Sequence, residues 1–193
     1  NSAREAAVIP GAFAYHRPAS LDEAVALLAA HGDEGRLLAG GHSLIPLMNL
    51  RLSDPGTLID IGRISELKGI SAHNGSVRIG ALTTHVMIAA SADVPTVLSE
   101  AAGWIGDPQV RNRGTIGGSL AHADPSADMP AVMAALDAEI HLKGPGGWRV
   151  VKAPDFFQDL FTVDMAPDEI MVSVQFAPVK AAVHHASRRS RTA

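Results

Sequence analysis

The sequence predicts an α+β fold of two subdomains, a small parallel β/α layer followed by a larger, mostly antiparallel sheet with helices. Two patterns predict this class: residues 1–65 run strand, glycine turn, helix and strand, whereas residues 66–178 mix helices with hairpin-like strands. The composition permits a packed core, because 47% of the 193 residues are hydrophobic and only 19% are charged. Residues 179–193 are small and basic, and we expect them to form a disordered tail.

The first subdomain opens with a short amphipathic helix. Ser20 and Glu23 have the spacing of a capping box, and apolar residues then recur at helical intervals until a glycine ends the pattern. A strand is predicted at residues 36–39, a helix at 43–52 and another strand at 57–61. This order indicates a small parallel βαβ layer, too brief to be a full Rossmann half.

The second subdomain begins with a predicted hairpin. Asn74-Gly75 lies between two β-prone runs, which is typical of a tight turn. With Ser76 it also matches a glycosylation acceptor, but the turn is the preferred interpretation. Further helices are predicted after Thr83 or Thr84, at residues 94–105, and from a Ser126 cap through residue 136; further strands are predicted at residues 138–143, 149–151 and 169–177.

Composition argues against several classes of function. The formal net charge of −4 provides no basic field for nucleic acid, so none is expected as a partner. With no cysteine, these residues cannot form a disulfide or ligate an iron–sulfur cluster, so iron–sulfur chemistry would need a partner chain. No apolar run approaches membrane-spanning length and no signal-peptide pattern opens the chain, so we expect a cytoplasmic protein without a membrane span.

Two separated segments place paired glycines beside a small hydroxyl residue. Residues 39–43, Ala-Gly-Gly-His-Ser, are the first glycine segment, and residues 115–119, Thr-Ile-Gly-Gly-Ser, are the second. Glycine lets backbone N–H groups approach an anion closely, and a serine hydroxyl adds a donor. The first segment also precedes a predicted helix, whose unpaired N–H groups favour phosphate.

Either glycine pair alone is ordinary turn chemistry, and neither segment is a GxGxxG fingerprint or a Walker loop. Two similar segments arriving from different subdomains are better explained by a pyrophosphate held between them. The sequence therefore predicts a diphosphate site at the junction of the two subdomains, with a purely structural role as the alternative for each segment.

Five ordered segments carry a family resemblance that covers residues 9–178. They are IPGAFAYHRP (9–18), AGGHSLIPLMNLRL (39–52), IGALTTH (79–85), DPQVRNRGTIGGS (107–119) and ADPSADMPA (123–131). Together they resemble the flavin-binding medium subunit of carbon monoxide dehydrogenase and its xanthine dehydrogenase-type relatives, which are molybdenum hydroxylases. The resemblance implies flavin adenine dinucleotide (FAD) as the cofactor, bound where the two subdomains meet.

The resemblance also implies roles for individual residues. Backbone amides of both glycine segments, with the hydroxyls of Ser43 and Thr115, would hold the FAD pyrophosphate. Gly80, Ala81 and Thr84 would approach the flavin side. The other contacts would be Leu38 and Leu44 beside the pyrophosphate, Asp124 and Asp128 at the ribose or the neighbouring chain of the cofactor, and Ile170 and Met171 at the adenine. The full predicted set is Leu38, Ala39, Gly40, Gly41, His42, Ser43, Leu44, Gly80, Ala81, Thr84, Thr115, Ile116, Gly117, Gly118, Ser119, Asp124, Asp128, Ile170 and Met171.

Several polar residues have alternative interpretations. His42 is a candidate catalytic histidine, but a positional role is preferred because flavin would supply the redox chemistry. Asp124 and Asp128 have the spacing of an acid/base pair or half a metal site, yet ribose binding or a helix start is favoured. Arg111 and Arg113 could neutralise phosphate, or equally face solvent or a partner subunit. No catalytic side chain and no metal ligand is predicted.

As a member of this family, the chain would pass electrons from an iron–sulfur small subunit through FAD to an acceptor, beside a large subunit carrying the molybdenum cofactor. A hetero-oligomer is therefore expected. Relatives continue into a further C-terminal domain, whereas the residues after Pro178 contain no apolar strands. This difference leaves an alternative function, a flavin-free structural or interaction module of the same fold.

Overall fold

The computed structural model describes residues 9–177. Its front part contains β1 (Ala14–His16), α1 (Leu21–His31), β2 (Gly35–Leu38), α2 (Leu44–Asn49) and β3 (Thr57–Asp60). The three strands form a parallel sheet in the order β1-β3-β2. The unit β2-α2-β3 is the parallel layer that the sequence predicts, and β1 is an additional strand that the sequence analysis missed.

Helix α1 begins as its capping residues require. The Ser20 hydroxyl accepts a hydrogen bond from the Glu23 amide at 3.2 Å, and the Glu23 carboxylate accepts one from the Ala19 amide at 2.8 Å. Its buried side recurs at helical spacing and packs against the small sheet. The buried residues are Leu21, Ala24, Val25 and Leu28.

The larger sheet has five antiparallel strands. They are β4 (Ile70–His73), β5 (Ser76–Gly80), β6 (Glu139–Gly144), β7 (Gly147–Lys152) and β10 (Ile170–Phe176), and a separate hairpin is formed by β8 (Phe157–Asp159) and β9 (Thr162–Val163). The strand order is β4-β5-β10-β6-β7. Asn74 and Gly75 connect β4 to β5 with positive φ angles of 50° and 80°, as a tight hairpin turn requires.

Helices pack against the larger sheet and surround its core. They are α3 (His85–Ala89), α4 (Thr96–Trp104), α5 (Pro108–Arg113), α6 (Ile116–His122), α7 (Asp128–Ala135) and α8 (Ala153–Phe156). Fully buried side chains from the sheet and from these helices meet in one core, including Ile79, Ile88, Leu98, Ile116 and Phe156. Between residues 9 and 177, no helix has both the length and the apolar character needed to cross a membrane.

Strand β10 joins the two halves of the molecule. Ile170 and Val172 are buried in the core of the front layer, together with Leu82 from the segment after β5. Met171 and Val174 are buried in the core of the larger sheet. Successive side chains of one strand point to opposite faces, and a bulge between Met171 and Ser173 shifts this alternation, so that β10 contributes to both cores and places the two layers side by side.

The structure confirms the predicted α+β class, with a small parallel layer and a larger antiparallel sheet. Some local predictions are wrong. The helix predicted at residues 43–52 ends at Asn49. Ser126 does not cap the helix that follows it, because its amide and hydroxyl bond to the Asp124 carboxylate and α7 starts at Asp128. The boundary between residues 65 and 66 stays a prediction, and the predicted tail lies outside the described residues.

Candidate cofactor site

A cavity of about 730 Å³ lies between the two layers. That volume is in the usual range for pockets that hold a cofactor. Residues of both glycine segments contribute to its lining, and so do residues 165–167 and 169–171 at the start of β10. Both glycine segments therefore line one cavity.

The first glycine segment depends on its glycines for two different reasons. Gly41 has a φ of +79°, a left-handed conformation that is costly for other residues. Gly40 lies against the second half of the chain: a Cβ placed on it would lie 2.8 Å from the Arg113 carbonyl carbon and closer still to the oxygen. No side chain fits there. Gly40 therefore allows the two segments to touch.

The first glycine segment also retains backbone donors. The Gly41 carbonyl accepts a hydrogen bond from the Ile45 amide at 3.0 Å, and this bond lies at the start of α2. Within residues 9–177, no acceptor is found for the amides of Gly40, Gly41, His42 and Ser43. Unpaired N–H groups at the entry to a helix suit an anion, because the helix dipole also favours negative charge there.

The second glycine segment is the start of a helix and not a turn. Thr115 is the N-cap of α6, and its hydroxyl accepts from the Gly118 amide at 3.2 Å. The Ile116 amide donates to the Thr83 carbonyl at 3.0 Å, and the Gly117 amide donates to the Ala81 carbonyl at 2.9 Å. These three amides already have protein acceptors. The segment therefore gives the cavity a surface without bulky side chains. It provides few free backbone N–H donors.

Gly117 has a packing role that the sequence pattern did not reveal. A Cβ at this position would lie 2.6 Å from the Ala81 Cβ and 2.8 Å from the Ala81 oxygen. The start of α6 can thus approach the end of β5 only if residue 117 is glycine. This close contact fixes where Thr115 and Gly118 stand at the cavity.

His85 is a cavity residue that the sequence analysis passed over. It is only 3% exposed, its amide donates to the Gly114 carbonyl at 3.1 Å, and its ring lies beside Gly114. Burial lowers the pKa of His85 to about 4, so the ring is neutral at pH 7. Its Nδ1 has no hydrogen-bond partner among the described residues.

The two aspartates predicted for the ribose occupy different positions. Asp124 lies at the cavity, where its carboxylate accepts from the Ser126 hydroxyl at 2.7 Å and from the Ser126 amide at 2.8 Å. These bonds lower the pKa of Asp124, which keeps it ionised. Asp128 is the first residue of α7 and is not part of the cavity lining.

Most of the predicted set comes together at the cavity. The residues that line it are Ala39, Gly40, Gly41, His42, Ser43, Leu44, Ala81, Thr115, Gly117, Gly118, Ser119, Asp124, Ile170 and Met171. The predicted residues that do not line it are Leu38, Gly80, Thr84, Ile116 and Asp128. Two of these have other contacts: Gly80 packs against the Leu67 backbone, and Ile116 is buried in the larger core.

Other lining residues had no signal in a single sequence. Leu82 and His85 belong to the quoted IGALTTH segment, but only the chain path after β5 shows which of its residues face the cavity. Met165, Ala166 and Pro167 come from the turn between β9 and β10, which is far in sequence from both glycine segments. Contacts of this kind depend on tertiary packing and not on a local pattern.

Neither Arg111 nor Arg113, which could have neutralised phosphate, is part of the cavity lining. The Arg111 guanidinium donates to the carbonyls of Ile105 and Gly106 at 3.0 and 2.9 Å, so it holds the loop between α4 and α5. At position 113 the backbone, not the side chain, meets Gly40.

Within residues 9–177, no group of three or more His, Cys, Asp and Glu side chains could hold a metal ion.

The chain matches one protein family and is similar to subunits of known dehydrogenases. A family profile described as "FAD binding domain in molybdopterin dehydrogenase" matches residues 11–178. The carbon monoxide dehydrogenase medium chain of Hydrogenophaga pseudoflava is 47% identical over 171 residues, which are 87% of this chain and 60% of that protein.

Two solved structures agree closely with this one. Carbon monoxide dehydrogenase from Hydrogenophaga pseudoflava, in a form that lacks the Mo-pyranopterin moiety, has a TM-score of 0.87 and 46% identity over 90% of this chain and 61% of that one. Quinoline 2-oxidoreductase from Pseudomonas putida 86 has a TM-score of 0.86 and 38% identity over 89% and 61%. The chain spans about 60% of the length of these relatives. Because the profile covers most of its length, the chain belongs to the family of FAD-binding domains found in molybdopterin dehydrogenases.

Proposed function

We propose that FAD binds in the cavity between the two layers, with its pyrophosphate at the first glycine segment. The observation that supports this most strongly is the contact between Gly40 and the backbone of Arg113 and Gly114. That contact brings both glycine segments to one cavity, and the amides of residues 40–43 have no protein acceptors within the described chain. A diphosphate has the charge and the acceptor oxygens that such amides need.

The rest of the lining suits the other parts of the dinucleotide. Ser43 and Ser119 offer hydroxyls beside the diphosphate. Asp124 offers an ionised carboxylate that can accept from ribose hydroxyls, as acidic residues do in dinucleotide sites. Ile170 and Met171 offer buried apolar surface for the adenine. Five predicted residues do not line the cavity, so they would contact FAD only if the cavity wall moved, or would influence FAD through neighbouring residues. They are Leu38, Gly80, Thr84, Ile116 and Asp128.

The chain's own residues bind and orient the cofactor and carry no redox chemistry. When bound, FAD would supply one- and two-electron transfer. His85 stays neutral at pH 7 because of its burial, so it adds no charge beside the diphosphate.

In a complete complex, we propose, this chain serves as the FAD-carrying medium subunit of a molybdenum hydroxylase. It would receive electrons from an iron–sulfur small subunit, beside a large subunit with the molybdenum cofactor, and pass them to an acceptor. The absence of cysteine supports a separate iron–sulfur partner. Relatives named for carbon monoxide and for quinoline are similar to this chain, which supports a substrate chosen on another subunit.

Titration of the purified chain with FAD tests this function. We expect one FAD per chain, quenching or enhancement of flavin fluorescence on binding, a higher melting temperature, and competition by ADP, which shares the diphosphate and adenine. A melting temperature unchanged by FAD at concentrations far above micromolar would contradict the proposal and favour a flavin-free structural module.

A further inference from the structure

One wall of the cavity is a turn between β9 and β10, here called the 164–169 turn. Met165, Ala166, Pro167 and Glu169 from this turn line the cavity. The turn is closed by hydrogen bonds from the Glu169 amide to the Ala166 carbonyl at 3.0 Å and from the Ala166 amide to the Glu169 carboxylate at 2.8 Å. It leads directly into Ile170 and Met171, the residues proposed to pack against the adenine.

Arg149 on strand β7, which β6 separates from β10, holds both ends of this turn. Its Nε and Nη2 donate to the two oxygens of Glu169 at 2.9 and 2.7 Å. Its Nη1 donates to the Asp164 carboxylate at 2.8 Å, and Nη2 also donates to the Asp164 main-chain carbonyl at 2.9 Å. The planar fork of a guanidinium can make this set of bonds, whereas a lysine ammonium cannot.

The Glu169 side chain depends on this partner. It is only 12% exposed, and hydrogen bonds from Arg149 lower the pKa of Glu169, so the carboxylate is ionised at pH 7. Without Arg149 a partly buried charge would lose its main partner, and Glu169 would have to move toward water. On the other side, a Cβ on Gly144 would lie 3.0 Å from the Glu169 Cγ, so the space around the side chain is small.

Strand β7 also carries a matched ion pair without such a role. Lys152 pairs with Asp137 at 3.1 Å and with Glu139 at 3.4 Å. Neither carboxylate belongs to the cavity lining, in contrast to Glu169. Strand β7 thus carries two ion pairs, one at the cavity wall and one remote from the cavity.

We propose that Arg149, which does not itself line the cavity, is a positioning residue for the cofactor: it fixes the 164–169 turn so that the adenine half of FAD can pack against the start of β10. This inference rests on the proposed binding of FAD in the cavity. It assigns a role in cofactor affinity to a side chain whose hydrogen bonds, among residues 9–177, all go to the turn.

Two variants of β7 test the inference by their affinities for FAD and for ADP. Arg149→Met is expected to weaken both ligands by about tenfold or more, because the wall that meets the adenine is no longer held. Lys152→Met removes the more exposed ion pair of the same strand and is expected to leave both affinities within twofold of the original. Equal affinities for Arg149→Met and the original chain, or weakening of FAD without ADP, would overturn the inference.

Hydrogen exchange on the unliganded chain gives a readout that does not require FAD. In Arg149→Met, or in Arg149→Lys if the first variant fails to fold, the amides of Ala166 and Glu169 are expected to exchange at least tenfold faster, while those of β6 keep their rates. Unchanged exchange at Ala166 and Glu169 would overturn the role of Arg149 even if FAD binds. Absence of FAD binding to the original chain, with accelerated exchange in the variant, would instead count against the proposed function alone.

Discussion

Gly40 is the residue at which the two glycine segments meet. Its Cα faces the Arg113 carbonyl and the Gly114 Cα so closely that no side chain fits between them. Because protein interiors yield little to an added methyl group, such a group would force the segments apart or strain the backbone. The contact between the two glycine segments thus requires that residue 40 has a hydrogen atom in place of a side chain.

Gly40→Ala is expected to weaken FAD binding by about tenfold or more, which corresponds to roughly 1.4 kcal/mol. The matched control is Gly103→Ala, since a Cβ on Gly103 meets nothing within 4 Å and alanine favours the helix there. Fluorescence titration of both variants with FAD measures the effect. Similar FAD affinities for the two variants would show that contact between the glycine segments does not matter for binding.

His85 is the residue that ties stability to pH. Its folded pKa of about 4 is below the value near 6.5 expected in an unfolded chain, because the buried ring resists charging. Between these values the unfolded chain binds more protons. The contribution of His85 to stability is therefore fully present above about pH 6.5 and is lost as the pH falls toward 4.

We expect the free energy of unfolding to decrease by up to about 3 kcal/mol from this residue alone between pH 7 and pH 4. His85→Met keeps an apolar side chain of adaptable shape and cannot titrate, so this part of the pH dependence should disappear. Urea unfolding of both proteins at several pH values measures the difference. Parallel pH dependence in the two proteins would mean that His85 titrates normally.

At the scale of elements, α6 positions the second glycine segment, and its N-cap has a close counterpart elsewhere. Thr115 accepts from the Gly118 amide at 3.2 Å, and Ser20 accepts from the Glu23 amide of α1 at the same distance. Both hydroxyls satisfy one amide of the first helical turn. Only Thr115 belongs to the cavity lining.

Thr115→Ala and Ser20→Ala are each expected to lower stability by about 1 kcal/mol. Only Thr115→Ala should also weaken FAD binding, because it releases the start of α6 from its position at the cavity. Chemical denaturation and FAD titration of both variants separate the two effects. If Ser20→Ala weakened FAD binding as much, loss of stability and not loss of position would explain the result.

Local chemistry made some elements predictable from sequence. The capping box of α1 and the Asn74-Gly75 hairpin were predicted correctly because both are set by neighbouring residues. The helix at the second glycine segment was not predicted, because paired glycines are poor helix formers. There the helix is stabilised by tertiary contacts, since Gly117 packs on Ala81. Strand β1 was missed because three residues carry too little pattern.

For the molecule as a whole, side chains of strand β10 reach the cores of both layers, and the cavity lies between these layers. Ile170 belongs to the core of the front layer and Met171 to the core of the larger sheet. The sequence identified the two glycine segments, which line one cavity between the layers. It could not locate the wall from the 164–169 turn, because that wall depends on Arg149 and other distant partners.

We propose that free amides of the first glycine segment bind the FAD pyrophosphate, and a crystal structure of the chain with FAD tests this binding most directly. We predict phosphate oxygens about 2.7–3.2 Å from amide nitrogens of residues 40–43, with the adenine beside Ile170. A diphosphate bound elsewhere, or amides of residues 40–43 turned away from it, would contradict the account.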